Sequence, residues 1–128
     1  MKIINEKKLI GTERDVKFKE GRSIRFILKK DNMGFSFHKT IIPKGNKGHW
    51  HYKNHKESCY CIKGNGILTN LETKEKFNIN VGDIYILDKN DNHTFESLTD
   101  VILISVFNPP IVGQEVHQKD GSYKIINN

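Results

Sequence analysis

Between His49 and Glu57 the chain places three of its six histidines and a carboxylate within nine residues. Imidazole and carboxylate are ligands that divalent Fe, Mn, Zn and Ni all accept, and the residue types do not choose among them. The run of His49, His51, His55 and Glu57 leads into Ser58 to Ile62, a strand that stops at Gly64-Asn65-Gly66. Alternate side chains of a strand share one face, so a small barrel can point several such ligands into one cavity. A second segment, from Gly82 through Tyr85 to His93, could supply the remaining ligands from a paired strand. A metal-dependent site for a small molecule is the leading expectation.

The elements that must position these groups read as short strands separated by turns. Arg25 to Leu28 is apolar after its first residue, and Asp31 to Gly34 supplies turn residues. From Phe35 the chain alternates, with Phe35 and Phe37 on one face and Ser36, His38 and Thr40 on the other. Gly64-Asn65-Gly66 is a turn signal. Ile67 to Leu71 and Lys76 to Ile79 form a hairpin across Glu72 to Glu75, Ile84 to Leu87 follows Gly82-Asp83, and Val101 to Phe107 is a β-branched run stopped by Asn108-Pro109-Pro110. Strands recurring about every ten residues predict an all-β sandwich or barrel. A short helix is expected near Asn5 to Thr12, and the polar residues from Gln118 to Asn128 read as a tail or an interface arm.

At 128 residues the chain fits one domain. Its net charge of +6 comes from scattered lysines, with no arginine-rich block and no aromatic RNA-reading motif, so surface charge explains it better than nucleic-acid binding. No apolar run reaches the length of a membrane span. The expected location is the cytoplasm, and Cys59 and Cys61 read as two reduced, buried thiols. Side by side on one strand face, their side chains run parallel, and a bond between them would be strained.

Two sets of motifs carry a resemblance. Glu57 and Gly64 are separated as in the first motif of cupin barrels, although Gly45 lies too close to His49 and His51 too far from Glu57. Gly82 and His93 match parts of the second motif, without its proline. Along the whole chain, Gly11-Thr12-Glu13-Arg14-Asp15-Val16, Met33 to His38, Tyr52-Lys53-Asn54-His55, Tyr60-Cys61-Ile62, Leu87-Asp88-Lys89 and Val106-Phe107-Asn108-Pro109-Pro110 are in order. So are Gly113 to His117 and Asp120-Gly121. These blocks resemble the ectoine synthase family.

The resemblance implies a single-domain cupin barrel, a small β-sandwich of jelly-roll type with at most one or two short helices, that assembles as a homodimer. It implies closure of N-γ-acetyl-L-2,4-diaminobutyrate into the cyclic amidine ectoine with loss of water, a carbon–oxygen lyase reaction. It also implies Fe(II) held by Glu57, Tyr85 and His93, with Zn, Mn or Ni able to replace it in the isolated protein. Tyr52 and Glu115 join that trio as catalytic candidates. Arg25, Thr40, Tyr52, Phe107, Glu115 and His117 fall at substrate-binding positions, where Arg25 could hold a carboxylate in bidentate fashion. Each has a plainer reading: Glu57 and Arg25 as surface charges, Tyr85 and Phe107 as core, His117 as part of the tail.

The chain also departs from its relatives. Gly21 stands where they usually carry Trp, so an aromatic wall is missing or is supplied elsewhere, for instance by Phe18. Lys39 replaces a usual Asp, Ser105 a common Cys, and Trp50-His51 a usual Ile-Trp, which adds an imidazole beside the site. These departures keep two alternatives open: a divergent relative acting on another amide or lactam, including in the hydrolytic direction, and a non-enzymatic cupin that binds a small solute. The family implies an osmolyte role, and the pI near 9.3 fits a host that relies on compatible solutes rather than on a salt-filled cytoplasm.

Overall fold

The computed structural model describes residues 1–113 and 115–123. Gln114 and residues 124–128, the end of the segment read as a polar tail, lie outside the described residues. Ten strands form two antiparallel sheets. The larger contains β1 (Asp15–Phe18), β2 (Gly21–Ile27), β3 (Ser36–Ile42), β10 (Val101–Asn108), β5 (Lys56–Lys63) and β8 (Ile84–Leu87), in that spatial order. The smaller contains β4 (Lys47–His51), β9 (Asn92–Ser97), β6 (Gly66–Asn70) and β7 (Lys76–Ile79). This is the expected all-β cupin barrel, two sheets closed around one interior.

The core follows from strand parity. β10 alternates strictly, with Val101, Leu103, Ser105 and Phe107 buried and the residues between them only partly so. On the facing sheet Leu68, Ile79 and Phe95 complete the apolar floor. Burying a side chain of this size contributes about 1.5–3 kcal/mol, so the floor anchors the sandwich while the opposite end stays open for polar groups.

The helix is shorter than expected, a single turn, α1 (Glu6–Leu9), with Asn5 as N-cap accepting from the Lys7 amide at 2.9 Å. One turn is below the length at which a helix holds by itself. An ion pair between Glu6 and Lys39 of β3 (2.9 Å) fastens it to the barrel, and gives the unusual Lys39 a structural use. β1, β4 and β9 had no clear apolar signature in the sequence. β4 and β9 pair with each other, Trp50 opposite His93, and send both side chains inward, so polarity inside the barrel masked their alternation.

The segment after β10 does not leave the barrel as a tail. Ile111 is fully buried and Tyr123 is 4% exposed. Arg25 donates to the carbonyls of Gly113 (3.0 Å) and Glu115 (2.9 Å), and the amide of His51 donates to Gly121 O at 3.0 Å. Residues 109–113 and 115–123 thus run as a strap across the open end of the barrel.

Candidate active site

A small, narrow cavity opens between the sheets at the strapped end. Its walls are inward residues of nearly every strand around it: Ser23 from β2, His38 and Thr40 from β3, Glu57 and Cys59 from β5, Tyr85 from β8, Ser105 and Phe107 from β10. The alternation noted from Phe35 onward therefore resolves with its polar side inward. Ser36 and His38 are buried, while Phe35 and Phe37 lie outside, Phe37 edge-on to Phe26. Tyr52, which follows β4, and His117 of the strap close the mouth.

The three candidate metal ligands come from three strands. Glu57 and Tyr85 both line the cavity, on the paired strands β5 and β8, with Cys59 directly opposite Tyr85 in the register. His93 is 1% exposed on β9, inward like its neighbour Trp50. Its Nδ1 lies 2.9 Å from Asp91 O, which makes that nitrogen the N–H donor and leaves Nε2 the lone-pair side. Nε2 is buried without a partner. A backbone carbonyl on one ring nitrogen with the other left bare is how a metal-binding imidazole is held.

Charge points the same way. Burial pushes the Glu57 carboxyl up to about 8 and the Tyr85 phenol well above its ordinary range, while it draws His93 down to about 4. A buried carboxylate without a cation is costly, and a bound divalent ion would offset that cost. Among the described residues no three His, Cys, Asp or Glu side chains cluster as a ligand set. If Glu57, Tyr85 and His93 held an ion, the donors would be one carboxylate, one phenol and one imidazole, a set that suits a hard or borderline ion such as Fe(II).

His49 and His51 do not join this set. Gly48, Trp50 and Tyr52 face inward, so the alternate residues face out, and His49 Nε2 sits 2.6 Å from Asn92 Oδ1 at the surface. His51 thus adds no imidazole to the cavity wall. His55 is buried, packed edge-on to Phe107 and Tyr123, with Nδ1 unpartnered. The side-chain amide of Asn90 holds the loop bearing it, through the carbonyls of Tyr52 (2.9 Å) and Lys53 (3.3 Å).

Tyr52 and His117 form the clearest polar pair, with Tyr52 Oη 2.7 Å from His117 Nε2. Burial first, then Arg25 and His93, lowers the His117 imidazole to about 3, so it is neutral and shares a single hydrogen bond with the phenol. Thr40 Oγ1 meets Ser105 Oγ at 3.1 Å, and Cys59 Sγ lies 3.6 Å beyond, a row of small hydroxyl and thiol groups along one wall. Phe107 stacks on His38 with centroids 5.2 Å apart.

Arg25 and Glu115 are both buried, and both are hydrogen-bonded to the strap. Besides its two carbonyl partners, Arg25 donates Nε–H to Ser23 Oγ (3.3 Å) and lies over the Tyr123 ring. The Glu115 carboxylate accepts the amides of Val112 (2.6 Å) and Gly113 (2.7 Å). In this conformation neither lines the cavity. They hold the chain that carries His117.

The sequence reading did not single out His38, Cys59, Trp50 and Tyr123 as wall residues. The parity of His38 with Thr40 and of Cys59 with Glu57 was the available signal. Tyr123 had none, because its place depends on how the strap folds back.

The profile of the family described as ectoine synthase matches residues 1–127. An L-ectoine synthase of Alkalilimnicola ehrlichii is 47% identical over 127 residues, covering 98% of this chain and 96% of the relative. One of a Marinomonas species is 49% identical over 117 residues, 90% of this chain and 91% of the relative. Among solved structures, the ectoine synthase of P. lautus superposes with a TM-score of 0.88 at 33% identity, covering 100% of this chain and 93% of that one.

Proposed function

Since the chain belongs to the ectoine synthase family, we propose that its barrel cavity closes N-γ-acetyl-L-2,4-diaminobutyrate into ectoine with loss of water. It is an enzyme, a lyase with ectoine synthase function. The observation that carries the reading is the whole-length match, combined with a cavity lined by Thr40, Tyr52, Phe107 and His117 beside Glu57 and Tyr85.

The reaction asks three things of these residues. The 2-amino group must lose its proton to attack, which an enclosed, largely aromatic cavity favours by disfavouring the ammonium form. The amine and the acetamide must be held in contact, and a cavity walled by Phe107 and Tyr52 with Thr40 as a polar anchor restricts the substrate to a folded shape. The carbonyl oxygen must leave as water, taking up two protons given up by the nitrogens. The Tyr52 hydroxyl, backed by neutral His117, is placed to pass a proton at the cavity mouth. Fe(II), when held by Glu57, Tyr85 and His93, supplies Lewis acidity toward a carbonyl that is a poor electrophile.

Further parts of the reading concern setting. The outer face of the larger sheet exposes Tyr60, Ile62, Ile84 and Ile86, an apolar patch that supports assembly as a homodimer. The free, buried thiols of Cys59 and Cys61 suit a reducing cytoplasm. Among the described residues no helix is long and apolar enough to cross a membrane. Making a compatible solute places the enzyme in the response to osmotic stress.

The test is direct. Purified protein incubated with Fe(II) and N-γ-acetyl-diaminobutyrate should release ectoine, and a protein that binds iron but yields none overturns the assignment. The divergent alternative rested on Gly21 and His51, and the latter points away from the cavity.

A further inference from the structure

Trp50 is the chain's single tryptophan and sits where β4 meets the cavity. It is 6% exposed, and its indole stacks on the His117 imidazole with centroids 5.3 Å apart and planes 24° from parallel. Tyr123 also stacks on His117, at 4.6 Å and 19°. The imidazole is thus stacked on both an indole and a phenol, and Phe18 meets both Trp50 (6.3 Å) and His117 (5.5 Å) edge-on.

Room for this indole is built into the backbone. A Cβ at Gly48 would come within 2.2 Å of the six-membered ring of Trp50, and one at Gly121 would come within 2.7 Å of Trp50 Cα. A Cβ at Gly21 would lie 2.0 Å from the Ile41 carbonyl oxygen across the β2–β3 pair, so the backbone as it stands here leaves no room for an aromatic group at that position. The aromatic wall at the strapped end therefore has to come from other elements.

We propose that Trp50 is a positioning residue for the ectoine-forming reaction: its indole fixes the plane of His117, and thereby the direction of the Tyr52 hydroxyl, with Gly48 as the residue that admits it. Four observations meet in it: the near-parallel stack, the 2.7 Å bond from Tyr52 to His117 Nε2, the lining of one cavity by all three side chains, and the space kept at Gly48. The imidazole sits on a strap rather than on a sheet, so its own backbone does little to orient it. Two stacked rings and one hydrogen bond leave it a single plane and a single direction. Aromatic pairs prefer defined geometries beyond what area burial alone asks, which is enough to decide between two orientations of a side chain.

The proposal rests on the function given above, and its test separates the two. Trp50 is the only tryptophan, so intrinsic emission reads this position alone. Titrating the full chain with ectoine should shift that emission with saturation, and His117→Ala should change the emission before any ligand is added. In turnover, Trp50→Leu should lower kcat about tenfold with KM moved less than about threefold, and Trp50→Phe should recover most of kcat. The proposal is overturned if Trp50→Leu turns over like the wild type, or if saturating ectoine, seen to bind by calorimetry, leaves the emission unchanged. It is equally overturned if Trp50→Phe is as impaired as Trp50→Leu, since packing volume would then explain the loss. Should Trp50→Leu fail to fold, the emission titration and the Phe variant decide the matter. A wild-type chain that neither makes nor binds ectoine overturns the functional reading, and this proposal with it.

Discussion

Each face of the six-stranded sheet carries side chains that an ordinary sandwich would place on the other, polar ones among the apolar core inside and apolar ones outside. Its inner face presents Ser23, Arg25, His38, Glu57 and Ser105, all buried. Its outer face presents Ile84 and Ile86, 58% and 61% exposed, beside Tyr60 and Ile62. A sheet that served only to fold would bury the isoleucines and solvate the polar groups. The inversion teaches that burial here serves a site. Polar side chains are kept from water where their reactivity is wanted, and apolar ones are left outside where a second surface can cover them.

The largest expected effect breaks the inner face at its candidate metal ligands. Glu57→Ala, Tyr85→Ala and His93→Ala should each lower bound iron and cut ectoine formation at least about 100-fold. Iron per chain, measured beside turnover, checks this, and normal loading in all three variants would refute the ligand set. On the outer face, replacing Ile84 and Ile86 together by lysine should leave the fold intact and weaken self-association by about 100-fold. Light scattering across a dilution series reads it, and an unchanged mass at every concentration would move the interface elsewhere.

A smaller change within the cavity sharpens the contrast between polarity and shape. Tyr52→Phe keeps the ring but loses the hydroxyl bonded to His117, so kcat should fall about 10- to 100-fold while the melting temperature moves little. If kcat holds, the proton passes through another group.

The smallest effect lies in the β1–β2 hairpin, away from both faces. Arg22 holds Asp15 through two hydrogen bonds of 2.6 Å and, as the leading cause, lowers its carboxyl from 3.8 to about 2. A depressed carboxyl stabilises the fold above its unfolded value, and that contribution is lost as pH falls from about 4 toward 2. Because the Arg22 side chain is 31% exposed, the contribution is of order 1 kcal/mol. Thermal melts should show Arg22→Ala less stable than the wild type at pH 5, with the gap closing near pH 2. A gap of equal size at both values would assign the effect to packing instead.

Much of the architecture was legible along the chain because turns and alternation are local. The hairpin across residues 72–75, the β-branched run into Asn108, and the shared face of Tyr85 and Leu87 all follow from spacing alone. Glu57, Tyr85 and His93 were readable only through the match to a family, since one carboxylate, one phenol and one imidazole on three strands make no local pattern. His49 and His51 show the converse. Their spacing looked like a ligand pair, yet the strand turns both outward and gives the inward positions to Gly48, Trp50 and Tyr52.

What the sequence by itself determined, then, is most of the strands, the chemistry available and the family to which the chain belongs. Tertiary structure alone decided which face of each strand became the inside. It also decided that Arg25 and Glu115 grip the strap, and that Trp50 and Tyr123 stack on His117. The reason is physical. A strand's period of two tells which residues lie together but not which side is buried, and contacts between residues 50, 117 and 123 exist only once the chain has closed on itself.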